Sequence, residues 1–176
     1  MARYNELFEG LGLSDVHRQE LEKKRGFTAE TIARCGFKTS KEHPDRILIP
    51  FYSGDDIKYY REHKYGPKDI TPPLYIPPGT AFKHTAYLAE SEYKAAALSQ
   101  MGYPAVGLQG ISTYAKKNFP KLQEFITSNN INKIVILFDN DDKSSKSSKH
   151  YKPDPASRWD VEYYAVSYTH LRAHET

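Results

Sequence analysis

Apolar positions follow helical spacing at the start of the chain, then strict alternation, and after a proline-rich stretch they form short unbroken runs separated by helical segments. Ser14 is placed to cap a helix running to about Arg25, and Gly26 stands where a helix sets a left-handed terminal residue. Thr28 caps a second short helix that Gly36 ends, with Phe27 and Ile32 spaced as a hydrophobic staple and Glu30 and Arg34 as an i, i+4 pair. These signals predict a helical hairpin before residue 40. The run Arg46 to Tyr52 then predicts a buried strand, Ser53-Gly54-Asp55 a turn, and Ile57 to Tyr65 the partner strand of a β-hairpin.

Between Gly66 and Gly79 stand Pro67, Pro72, Pro73, Pro77 and Pro78, which predicts irregular structure and a boundary. Residues 1–80 are expected to form a small α+β module and residues 84–164 a second one. In the second, Thr85 to Ala89 is a strand, Ser91 caps a helix to Met101 that Gly102 terminates, and Pro104 to Leu108 is another strand. A helix over Phe119 to Ser128 leads to Lys133–Phe138, whose unbroken apolar run fits a central strand buried on both faces. Strands alternating with helices predict an α/β fold with a parallel sheet flanked by helices. The run Asp142 to His150 has no apolar face and predicts an exposed loop.

Composition narrows the class more than the chemistry. At 39% apolar and 27% charged residues the chain is globular, and no apolar run approaches the roughly 20 residues of a membrane helix. The N-terminus carries no export pattern, so a soluble, cytoplasmic protein without a membrane partner is expected. The lone Cys35 excludes an internal disulfide and suits a small core position. A net charge of +3 permits nucleic-acid binding without requiring it, but Lys58, Arg61, His63, Lys64 and Lys68 crowd one stretch interleaved with Tyr59, Tyr60 and Tyr65. His17, His43, His63, His84 and His150 show no metal-ligand spacing, and neither a zinc finger nor a GxxxxGK[ST] phosphate loop is present.

Ligands of open α/β sheets bind at the carboxyl ends of the strands, and parallel strands point those ends the same way. Glu90 directly follows the first strand of the second module and Asp139 the last, while Asp141 shares a face with Asp139 in extended chain. Three converging carboxylates would bind protons or recruit a cation, and oxygen-only ligands select Mg²⁺ or Mn²⁺, as in nucleotidyl transfer or phosphodiester cleavage. Acids at strand ends are also ordinary solvated loop residues, and geometry alone leaves the two readings level. Lys94 lies one helical turn after Glu90, within reach of the same edge, although a surface lysine is the simpler reading. Lys143, Lys146 and Lys149 could fold over nucleic acid or stay solvated.

The ordered set Tyr87-Leu-Ala-Glu90-Ser-Glu-Tyr-Lys-Ala-Ala-Ala-Leu98, Gly102, Ala105-Val-Gly-Leu-Gln-Gly110 and Ile134-Val-Ile-Leu-Phe-Asp139-Asn-Asp141 resembles a TOPRIM domain. The likeness implies a TOPRIM-type sheet over roughly Thr85 to Tyr164, with Glu90, Asp139 and Asp141 as catalytic residues and Mg²⁺ or Mn²⁺ ligands, Glu90 serving as ligand or general base. The sequence departs from the family at Ser91, where a glycine often follows the glutamate, and in the lysine/serine loop after Asp141. The N-terminal runs Arg25-Gly-Phe-Thr-Ala-Glu-Thr-Ile, Arg46-Ile-Leu-Ile-Pro, Tyr60-Arg61 and Pro72-Pro-Leu-Tyr-Ile-Pro-Pro-Gly79 are similar to the segment preceding TOPRIM in DnaG-type and phage or plasmid primases. That likeness implies a metal-dependent primase-like nucleotidyltransferase of a phage, plasmid or other mobile element, acting on single-stranded DNA with nucleoside triphosphates and a replicative helicase as partners. Arg46, Arg61, Lys64 and Lys94 would face phosphates, with Tyr59 or Tyr65 available for base stacking. A solvated strand face is the plain alternative for the basic residues. A TOPRIM nuclease or topoisomerase-like enzyme, or a non-catalytic protein binding DNA or a helicase, are the competing functions, since fold does not choose the reaction.

The string Val166 to Thr176 back-translates to a stretch resembling the transposon-end adapter of sequencing libraries. It is expected to be foreign to the protein, with the TOPRIM unit incomplete at its C-terminal end.

Overall fold

The computed structural model describes residues 4–62, 73–109 and 119–137. A short helix, α1 (Asn5–Phe8), precedes α2 (Asp15–Gln19), which continues into a π-helical turn over Glu20–Lys24. The Ser14 side chain accepts from the backbone N–H of His17, and Gly26 ends the segment at φ 68°, as the capping signals predict. Helix α3 (Ala29–Cys35) is capped by Thr28, which accepts from the N–H of Thr31, and it closes on Gly36 at φ 67°.

Three antiparallel strands follow in the order of the chain: β1 (Lys38–Thr39), β2 (Ile47–Ser53) and β3 (Asp56–Glu62). The two-residue β1 was not foreseen, since so short a strand has no periodicity to detect. It pairs only with Leu48 and Ile47, which leaves Pro50 of β2 beyond its reach and explains a proline in the middle strand of a sheet. A bulge between Phe51 and Tyr52 leaves Lys58 as the extra residue of β3.

The second sheet is parallel, with β4 (Thr85–Ala89) between β5 (Ala105–Gly107) and β6 (Lys133–Leu137). Among the described residues β4, not β6, is thus the central strand. Helix α4 (Glu92–Gln100) links β4 to β5, and α5 (Phe119–Ser128) precedes β6. Period-two alternation sends each strand to two cores. Ala89, Ala105, Val135 and Leu137 join α4 residues Tyr93, Ala95, Ala96 and Leu98, and the same cluster takes in Leu21, Phe27, Ile32, Phe37 and Phe51 from the N-terminal half. Ala86, Leu88, Val106 and Ile134 pack on the opposite side with Leu122 and Phe125 of α5. Both faces of the parallel sheet are therefore covered, and one of them is covered jointly by α4 and the N-terminal elements. After the prolines, Tyr75 exchanges two backbone hydrogen bonds with Gly107 at 3.0 and 2.8 Å, laying a strap along β5.

Candidate acidic site at the carboxyl edge of the parallel sheet

Parallel register sets Ala89 of β4 beside Gly107 of β5 and Leu137 of β6, so the three strands end level with one another. Glu90 is the next residue of the central strand, half-buried at that edge. Its Oε2 accepts from Lys94 Nζ at 2.9 Å, both side chains being 34% exposed, so the one-turn spacing does bring this lysine to the edge. Asp139 and Asp141 follow β6 in the sequence and lie outside the described residues, as do Lys64, Tyr65 and the Lys143, Lys146 and Lys149 run. Among the described residues no group of His, Cys, Asp or Glu forms a metal cluster.

The edge is built by the backbone as much as by its side chains. Ser91 caps α4, its hydroxyl accepting from Lys94 N–H at 3.4 Å, which fixes the turn carrying Glu90. A Cβ on Gly107 would lie 3.0 Å from the Ser91 carbonyl oxygen and 3.2 Å from Glu92 Cα, so only glycine lets α4 begin this close to β5. The two arginine candidates occur in ion pairs. Arg46 Nη1 donates to Glu62 Oε2 at 2.9 Å, and Glu62 also accepts from the Ser40 hydroxyl at 2.8 Å. Arg61 Nη1 donates to Glu92 Oε1 at 2.7 Å, with the carboxylate 5% and the guanidinium 21% exposed.

Glu92 is the residue that sequence reading missed. It opens α4 two positions after Glu90 and is buried, joining the N-terminal hairpin to the acidic edge across 31 positions of sequence. Its place in the first turn of a capped helix was visible, but its partner on another sheet was not. Tyr59 corrects an expectation: it is 3% exposed and meets Phe51 edge-on at 5.0 Å, a core residue rather than a stacking platform for a base. Arg25 does contact an aromatic face, its guanidinium lying 3.9 Å from the ring centroid of Tyr93. Burial pushes the Tyr93 hydroxyl well above its ordinary range.

Residues 82–152 match the family described as Domain of unknown function (DUF3854). Among curated proteins no sequence matches the chain. The fold is similar to that of a solved chain, a gp4 primase domain in the complex of bacteriophage T7 lagging-strand DNA polymerase interacting with the primase domains of two gp4 subunits bound to an RNA/DNA hybrid and dTTP. The TM-score is 0.57 at 16% identity, over 81% of this chain. The chain spans 64% of the length of that neighbour. The mixed architecture, an antiparallel sheet packed through α4 onto a parallel sheet flanked by helices, is a primase-like fold.

Proposed function

We propose that the chain is a primase-like nucleotidyltransferase, with a TOPRIM-type site of Glu90, Asp139 and Asp141 making primers on single-stranded DNA from nucleoside triphosphates. One observation carries this reading: β4 and β6 are parallel neighbours ending level, and each is followed in the sequence by acidic residues, Glu90 after β4 and the Asp139-Asn140-Asp141 run after β6. The primase-like fold supports the choice of reaction.

The donor set suits Mg²⁺ or Mn²⁺, since carboxylate oxygens on one sheet edge hold such an ion through one or two ligands and leave the rest to water and phosphate. Glu90, Asp139 and Asp141 would hold it, and the ion when bound would polarise phosphoryl oxygens and offset developing charge. The chain's own residues do the positioning. Ser91 and Gly107 fix the turn that carries Glu90, and Lys94 offers a cation that neutralises Glu90 and can reach a phosphate. Arg61 and Arg46, each oriented by a carboxylate, would face template phosphates. A cytoplasmic replication role, with a helicase partner, follows from this reading.

The test starts with calorimetric Mn²⁺ titration of the chain, wild type against Asp139→Asn/Asp141→Asn, followed by extension of labelled nucleotides on a single-stranded template. Binding lost in the double variant and primers lost in Glu90→Gln are the expected results. A folded wild type that cleaves the template instead would assign the site to a nuclease. One that binds no metal and makes nothing would leave a protein that only binds DNA or a helicase.

A further inference from the structure

A second surface lies at the other end of the same sheet. Ala81, Lys83, His84, Thr85, Tyr87, Gly102, Tyr103 and Pro104 line an open groove where β4 and β5 begin. At about 3.3 Å per residue along β4, the groove stands between about 10 Å (at Tyr87) and about 17 Å (at Thr85) from Glu90. Tyr103 is 43% exposed, one of few large apolar side chains left at the described surface, yet its ring is held 5.0 Å from that of Tyr87 at a tilt of 54°. An aromatic ring that is both exposed and braced from behind is set up to receive a flat ligand with little loss of side-chain entropy.

The rim has one sign of charge. Lys83 and His84 are exposed and no carboxylate lines the groove among the described residues. His84 Nδ1 lies 3.4 Å from the Asn130 carbonyl, which fixes the ring at the rim. The groove combines a braced ring with a lysine at its rim, the pairing that tracks a base and its backbone. We infer that this groove is a contact for single-stranded nucleic acid, one base stacking on Tyr103 while Lys83 meets the neighbouring phosphate. The inference rests on the functional reading above for a strand being the ligand, and it places a contact for that strand on the sheet edge opposite the acidic one.

Fluorescence anisotropy with an end-labelled single-stranded oligonucleotide, without divalent metal, tests it on the whole chain. Tyr103→Ala is expected to weaken binding about five-fold or more, and Tyr103→Phe to keep wild-type affinity because the ring remains. Lys83→Ala should lower the salt dependence of log K by about 0.7. Unchanged affinity in Tyr103→Ala, or equal competition by a duplex of the same length, would overturn the inference while leaving primer synthesis to stand on its own test. If Tyr103→Ala weakens binding in a protein that makes no primers, only the catalytic reading falls. Absence of strand binding by the wild type would remove both.

Discussion

Gly36 shows how tightly single positions are specified. It ends α3 in the left-handed region, and a Cβ there would fall on the Tyr52 hydroxyl. Gly36→Ala is expected to cost about 1–3 kcal/mol, from backbone strain plus the collision. Adding Tyr52→Phe should return part of that loss and no more, because the strain remains. Urea midpoints of the three proteins check this. Glu92 is specified as strongly by charge. Glu92→Gln keeps the shape but leaves Arg61 facing a neutral amide, and a loss of about 1–2 kcal/mol is expected for a partner that is partly solvated. Burial raises the Cys35 thiol and raises the Tyr75 hydroxyl further, each beside the other. Both groups stay neutral in the fold while the unfolded chain can ionise. Their contribution is therefore complete below the unfolded thiol's value, about 8.5, and is lost as pH rises past it and then past about 10. Midpoints should fall between pH 8.5 and 11, and Cys35→Ala should delay the fall to the tyrosine range.

Elements were legible where local chemistry decided them. Ser14, Thr28 and Ser91 named three helix starts, and Gly26, Gly36 and Gly102, all at positive φ, named three ends. The strand Thr85–Ala89 and the helix Phe119–Ser128 have the bounds that the apolar runs predicted. Long-range facts were not legible. The burial of Tyr59 depends on the face it takes after the bulge at Phe51/Tyr52, and the Arg61–Glu92 pair depends on how two sheets meet. The order of the parallel strands is likewise a tertiary fact, so an unbroken apolar run suggested that β6 is central, whereas among the described residues β4 is. Glu90 and Lys94 were readable because one helical turn links them, whereas Asp139 and Asp141 lie outside the described residues. Gly107→Ala belongs to this scale. It presses on the first turn of α4, so we expect about 1–3 kcal/mol of destabilisation together with weaker Mn²⁺ binding, read by urea titration and calorimetry.

Across the whole molecule, a single cluster of buried side chains runs from Leu21 and Phe27 through Tyr93 to Leu137. Phe27 sits 5.9 Å from Phe37 and 6.2 Å from Tyr93, ring to ring, where the N-terminal helices meet α4. Phe27→Ala should cost about 3–5 kcal/mol, and amide exchange should accelerate in β2 and β4 together rather than in the N-terminal sheet alone. The two sheets then open as one cooperative unit.

The strap at Tyr75 bears on how the protein meets other chains. By occupying the amide and carbonyl of Gly107 on the outer side of β5, it denies a foreign strand its footing there. Among the described residues the parallel sheet can therefore be lengthened only from β6, and templated strand addition, whether by a partner peptide or in misassembly, has one direction in which to grow.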